Sequence, residues 1–278
     1  MRFGRPEILF GAALAAGLGA WSLFEAQWVE RRRVSLPLEG LPEELEGLRL
    51  LHLSDLHLGT LSLGWWTLEQ AVRWAEEEPA DVVCITGDLV TRRGGKRALR
   101  KALSRLRPRH GVYAVLGNHD VDDARDPFLR PTDLSDLHEV GTVLLRDDAH
   151  AFEVGGSRIQ VVGVHPAAYR ARASRPAQRA DAGAALRILL CHYPDVVRTL
   201  PPRSFHLVLS GHYHGGQICV PSPWGKLRLK DLRANYWEGL FATPAAALHV
   251  SRGLGTSFVP FRLLARPEVT AITLTGKM

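Results

Sequence analysis

The sequence predicts a layered α/β fold with a largely parallel first half, on three observations. After Leu48, short apolar runs alternate with stretches of helical spacing. At 278 residues, 46% hydrophobic and 23% charged, the chain has a globular balance. Asp, Asn and His stand directly after several of the apolar runs, where sheets of this class gather their ligand sites. At roughly 150 residues per domain the length suits two domains, or one large α/β domain with a short appendage. The composition excludes a disordered chain, a collagen and a coiled coil.

The first element is the apolar run Ile8 to Phe24, ILFGAALAAGLGAWSLF. As a helix it reaches about 25 Å, against about 30 Å of bilayer hydrocarbon. Trp21 and Trp28 suit an interface, and Arg2 and Arg5 lie before the run. Residues 1–33 are therefore expected to be a retained membrane anchor. A cleaved signal peptide and a buried helix are the other readings. The Arg31–Arg33 triplet leans the body toward the cytoplasmic side. Val34 to Gly47, with Pro37 and Pro42 and no clean period, reads as a linker.

Residues 48–278 form the body. Leu48–Leu53 reads as a buried strand, Trp65–Glu78 as a helix stopped by Pro79, and Asp81–Thr86 as the next strand. Lys96–Leu106 is a basic helix ending at Pro108, and Val112–Leu116 a third strand. Later strands are expected at Arg158–Val164, Arg187–Cys191, His206–Leu209, Ala247–Ser251 and Val269–Leu274.

The 35 Lys and Arg against 29 Asp and Glu give a net charge of +6, which suits anionic partners: phosphate esters, nucleic acid or an acidic lipid surface. Two basic clusters stand out. His165 to Ala185 carries Arg170, Arg172, Arg175 and Arg179; it reads as a solvated face or as a cap for an anionic group. Lys226, Arg228, Lys230 and Arg233 interleave with Trp224, Tyr236 and Trp237, a pattern that also suits a lipid interface. The 3 cysteines, Cys84, Cys191 and Cys219, are too scattered for a disulfide framework or a thiolate zinc site.

The strand ends carry the chemistry. The first strand leads to Asp55-Leu-His57, the second to Gly87-Asp88, and the third to Gly117-Asn118-His119-Asp120. Arg187–Cys191 leads to His192, and His206–Ser210 to Gly211-His212-Tyr213-His214. Oxygen and nitrogen donors without sulfur suit Mn, Fe or Zn rather than Ca or Mg. Their number exceeds what one ion with open positions needs and suits two ions about 3.5–4 Å apart. His52 lies inside a strand and reads as a core histidine. His110, His138, His150, His206 and His249 lie in no motif.

In this order, from Asp55 to His214, these elements resemble the calcineurin-like metallophosphoesterase superfamily. "HLSDLHLG", "ITGDLV", "GHYHGGQICVP" and "SRGLGTSFVPFRLLARPEVTAITL" are most similar to its bacterial membrane-anchored branch, which includes UDP-2,3-diacylglucosamine pyrophosphatases. The resemblance implies a two-sheet β-sandwich flanked by helices, in four layers. It implies two divalent ions, Mn²⁺ first, with Fe or Zn as alternatives. Asp55, His57 and His214 would hold one ion, Asn118, His192 and His212 the other, and Asp88 would bridge. His119 would protonate the leaving group, with Asp120 orienting and charging its imidazole. The implied activity is hydrolysis of a phosphodiester or pyrophosphate of a membrane lipid, with no stable nucleic-acid partner. A soluble-nucleotide phosphodiesterase and a non-catalytic scaffold are the competing readings. Where that branch carries an acidic pair after the Val161–Val164 strand end, this chain has His165-Pro166.

Overall fold

The computed structural model describes residues 5–60, 64–121, 129, 132–223 and 225–277, so Arg2 and Trp224 lie outside the described residues. The strands are β1 (Glu30–Leu38), β2 (Arg49–Leu53), β3 (Val82–Thr86), β4 (Val112–Val115), β5 (Thr142–Leu144), β6 (Ala149–Val154) and β7 (Ser157–Gly163). They continue as β8 (Leu186–Leu190), β9 (Leu207–Ser210), β10 (Cys219–Ser222), β11 (Gly225–Arg228), β12 (Gly239–Ala242), β13 (Ala247–Val250) and β14 (Glu268–Gly276). The helices are α1 (Arg5–Glu25), α2 (Gly64–Glu77), α3 (Gly95–Leu103), α4 (Pro166–Arg170) and α5 (Pro176–Arg179).

Two 6-stranded sheets form the body, in the orders β1-β14-β2-β3-β4-β5 and β12-β13-β9-β8-β7-β6; β10 and β11 pair separately. β2 to β5 run parallel, as do β7, β8, β9 and β13. The strands obey a period of two with both faces buried. Leu50, Val82 and Cys84 face inward and meet Ile188, Leu190, Leu207 and Leu209 of the second sheet. Leu51, Leu53, Val83 and Ile85 face outward and pack on Leu68, Val72 and Trp74 of α2 and Leu99 and Leu103 of α3. Val196, Val197 and Phe205 cover the far face of the second sheet. Burial on both sides is why these strands read as unbroken apolar runs.

The amino-terminal third departs from expectation. Val34–Leu38, read as linker, is the second half of β1, an edge strand parallel to β14. Its arginines are used by the body: Arg31 pairs with Glu77, Arg33 with Glu78, and Arg32 lies 3.3 Å from Glu268. Alternating exposure, charge and Pro37 hide the strand in the sequence, and edge strands carry those features. α1 forms where a helix was expected. As a membrane span it falls short: among the described residues no helix is long and apolar enough to cross a membrane. Its apolar run is shorter than a bilayer core and diluted by Gly11, Gly17 and Gly19. Its last turn docks on the body instead. Glu25 is buried and accepts the Ala265 N–H at 2.9 Å, and Ser22 O accepts the Arg262 N–H at 3.1 Å.

Candidate metal centre

The carboxyl ends of β2, β3, β4, β8 and β9 converge, and each delivers side chains to one buried cluster. Asp55 and His57 come from the turn after β2, Asp88 from that after β3, and Asn118 and His119 from that after β4. His192 follows β8, and His212 and His214 follow β9.

The donors form two groups that meet at Asp88. In the first, Asp55, His57, Asp88 and His214 offer ligand atoms within 4.8 Å of one another. His57 Nε2 lies 3.1 Å from His214 Nε2, and His214 Nε2 3.4 Å from Asp55 Oδ1. In the second, His192 Nε2 lies 3.1 Å from both His212 Nδ1 and Asn118 Oδ1. One oxygen, Asp88 Oδ2, is 3.4 Å from His57 Nε2 and 3.4 Å from His192 Nε2.

The backbone is bent to achieve this. Asp55, His57, Asp88, His212 and His214 all adopt positive φ, between 45° and 79°. Non-glycine residues rarely do so, at a cost of order 1–3 kcal/mol each. The motif glycines are set by close approach. A Cβ on Gly117 would stand 2.1 Å from Asp88 Oδ1, and one on Gly211 2.1 Å from Asp55 Oδ2.

The electrostatics favour cations. Burial lowers His57 and His212 to about 3, reinforced respectively by His119 and by His192. Burial, His57 and Arg262 hold His214 well below the usual imidazole range. These rings are neutral at pH 7, the form that donates to a metal. His192 is opposite: burial lowers it, but Asp88 and Asp55 raise it to about 9. Its Nδ1–H is fixed on Thr86 O at 2.8 Å, which leaves Nε2 facing Asp88. A carboxylate oxygen shared by two sets of imidazole and oxygen donors fits a pair of first-row divalent ions.

Two features around the cluster had no sequence signal. Arg262 is fully buried and donates to the carbonyls of Arg252, Gly253, Gly255, Ala265 and His214. It thereby ties the Gly253–Ala265 loop to the backbone of His214. Burial, then Arg252, lowers its pKa to about 9. The second feature is a chain of buried polar groups. Ser54 Oγ donates to Asp55 Oδ2 at 2.5 Å, and Thr86 Oγ1 donates to Ser54 Oγ at 2.8 Å. His52 Nε2–H must then donate to Thr86 Oγ1, and His249 Nδ1–H to His52 Nδ1, each at 2.8 Å. A carboxylate only accepts, so Asp55 sets the direction of every bond.

Asp120 has backbone partners that its place in the sequence does not disclose. Its carboxylate accepts backbone N–H groups of Gly117, Leu89 and Val90 at 2.8–3.1 Å, bracing the β3 and β4 turns against each other. Burial, then Asp88, pushes its carboxyl up to about 7. Asp120 is a positioning residue for the ligand turns.

The His52–His249 chain predicts a pH dependence of stability. Burial lowers His249 from 6.5 to about 4, against the raising effect of Glu268 and with Arg32 and Arg252 lowering it further. A depressed histidine stabilises the fold above its unfolded pKa, and this contribution is lost as pH falls through the folded value. At about 1.4 kcal/mol per unit, His249 contributes about 3 kcal/mol. The urea midpoint of the protein is expected to fall between pH 6.5 and 4, and to fall less in His249→Gln. Equal falls in both proteins, followed by circular dichroism, contradict this account.

A family model described as calcineurin-like phosphoesterase matches residues 48–216. The uncharacterized metallophosphoesterase YkoQ of Bacillus subtilis (strain 168) is 32% identical over 240 residues, covering 84% of this chain and 85% of its own. The phosphodiesterase YaeI of Escherichia coli (strain K12) is 28% identical over 272 residues, covering 94% of each chain. The transmembrane protein with metallophosphoesterase domain of Danio rerio is 33% identical over 260 residues, covering 87% of this chain and 56% of its own.

Proposed function

The chain belongs to the calcineurin-like phosphoesterase family and is a metal-dependent phosphohydrolase, and from that premise we propose that it hydrolyses a phosphodiester or pyrophosphate of a membrane lipid, of the UDP-2,3-diacylglucosamine type. The observation that carries the reaction is the pair of donor groups meeting at Asp88 Oδ2. Asp55, His57, His214 and Asp88 would hold one divalent ion; Asn118, His192, His212 and Asp88 the other, with Mn²⁺ the first candidate. When bound, such ions supply Lewis acidity toward phosphoryl oxygens and a nucleophile at neutral pH.

The protein's own groups do the rest. Thr86 O and Thr91 Oγ1 orient the His192 and His57 rings through their Nδ1 atoms, at 2.8 and 3.0 Å. Asp88 Oδ1 accepts the His119 N–H at 2.8 Å and so places that residue at the rim of the cluster. The His119 ring stands edge-on to His57, with centroids 4.6 Å apart. From there it protonates the leaving oxygen as the P–O bond breaks. Phe258, half exposed and 6.4 Å from His119, forms an apolar wall beside it.

The lipid reading is supported by α1. Leu9, Phe10, Leu14 and Leu18 are exposed, as are Trp21, Phe24 and Trp28 beyond them. From Leu9 to Leu18 α1 is apolar and exposed, which suits an apolar medium. An α1 seated in a lipid surface would bring the protein to a membrane lipid.

The test uses the full chain in detergent, loaded with Mn²⁺. Release of UMP from UDP-2,3-diacylglucosamine is compared with hydrolysis of bis-p-nitrophenyl phosphate. Faster UMP release is expected. Activity on the small diester alone removes the lipid pyrophosphate and leaves a phosphodiesterase for other diesters. Activity on neither, with two ions bound, overturns the proposal.

A further inference from the structure

One large cavity is not lined by the metal ligands. It holds about 1020 Å³ and is walled by α4, the segment leading into α5, the turn after β8 and the loop after β11. These bring Arg170, Arg172, Arg175, Arg198 and Arg233 around one space. Two carboxylates, Asp195 and Asp231, share that wall. Asp195 is already engaged, accepting Tyr213 Oη at 3.0 Å and lying 3.9 Å from Arg198. The segments are far apart in sequence, so neither basic cluster alone discloses the cavity. His165-Pro166 has a structural meaning here: Pro166 starts α4, which supplies the first arginine.

The cavity adjoins the metal centre. Tyr213 stands between ligands His212 and His214 in sequence and lines this cavity. Tyr213 and Asp231 also line a smaller cavity of about 220 Å³ whose wall includes His212 and His214. Tyr193 links the two regions, stacked on Tyr169 at 4.9 Å and edge-on to His212 at 4.7 Å. A volume near 1,000 Å³ is at the upper end for small-molecule sites and far exceeds one phosphate. Arginine forks match phosphate oxygens two at a time.

We propose that this arginine-lined cavity is a second anion subsite, which binds a further phosphate-type group of the substrate while the scissile phosphate lies at the metal centre. The inference rests on the phosphoesterase reading for its second half only. It favours a substrate with a phosphate-type group beyond the scissile one, the adjoining phosphate of a pyrophosphate included. A single small diester engages the metal centre alone.

The experiment is a binding measurement on the metal-loaded full chain. Alkane-α,ω-bisphosphonates of increasing spacer length resist hydrolysis and are compared by calorimetry with the monophosphonates of equal chain length. At one spacer length the bisphosphonate is expected to bind about ten- to hundredfold more tightly, the value of one or two charge-assisted contacts. Arg172→Ala/Arg175→Ala and, from another segment, Arg233→Ala should remove that gain. These side chains are exposed, so monophosphonate affinity and bis-p-nitrophenyl phosphate turnover should persist. Equal binding of mono- and bisphosphonates at every length overturns the proposal, as does a gain that survives both variants. If the wild type shows the gain but hydrolyses no diester, the subsite stands and the phosphoesterase reading fails. Competition separates the source of the anion. Displacement by phosphatidylcholine vesicles containing phosphatidic acid assigns the subsite to a lipid headgroup. Displacement by soluble glycerol 3-phosphate assigns it to a free phosphate ester. Displacement by neither excludes a phosphomonoester as its ligand and overturns the proposal.

Discussion

Asp88→Asn is expected to reduce bound metal from two ions per chain to one or none. Hydrolysis of bis-p-nitrophenyl phosphate should fall by about 10³-fold or more, the scale of losing transition-state charge stabilisation. The carboxylate does two things at once. Oδ2 faces His57 Nε2 and His192 Nε2, both at 3.4 Å, while Oδ1 accepts the His119 N–H at 2.8 Å. An amide has a single oxygen. Either it keeps the His119 contact and turns an NH₂ toward the two imidazoles, or it faces them and drops the contact. The anion that raises His192 to about 9 is also lost, so the donor cluster loses its shared charge. Plasma mass spectrometry gives the metal content, and circular dichroism checks the fold. A folded variant with two ions and a rate within tenfold of wild type contradicts the bridging role.

His119→Ala should behave differently. Its backbone N–H still reaches Asp88 Oδ1, so both ions should remain. Turnover should fall by about 10²–10⁴-fold, the range for removing a proton donor. The size of the loss should depend on the leaving group. Nitrophenolate departs with little help, whereas an alkoxide needs its proton, so an alkyl diester should suffer far more than bis-p-nitrophenyl phosphate. An equal loss on both would assign His119 to phosphate binding rather than acid catalysis.

The donor set was legible because its chemistry leaves little choice of residue. Asp, Asn and His at the ends of apolar strands have few structural uses, and Gly117 and Gly211 record where backbone passes within contact of Asp88 and Asp55. The central strands were legible for the same kind of reason, since burial on both faces demands continuous apolar residues. β1 was not, because an edge strand is allowed charge and proline and so resembles a linker. The positive φ of five donors was hidden too, as Asp and His carry no mark of the backbone they adopt. Arg262 could not be found from sequence, because its role lies in five carbonyls scattered over loops. The backbone partners of Asp120 were hidden for a related reason. Adjacency to His119 suggested a side-chain pair, while the turns around it offered three amide donors.

The docking of α1 bears on how this protein is to be handled at the bench. A boundary at Val34 is tempting, since it removes every residue of the greasy segment and its basic flank. Yet such a cut deletes Glu25 and Ser22, which hold Ala265 and Arg262, and Glu30, which holds Arg252 at 2.8 Å. All three partners lie in or beside the loop that Arg262 ties to His214. A shortened protein that is more soluble would thus be a worse metal binder, and an inactive preparation would report on where it was trimmed. Solubility is better sought on the open outer turns, by exchanging Leu9, Phe10 and Leu14 for polar residues and leaving the chain whole from Leu18 onward.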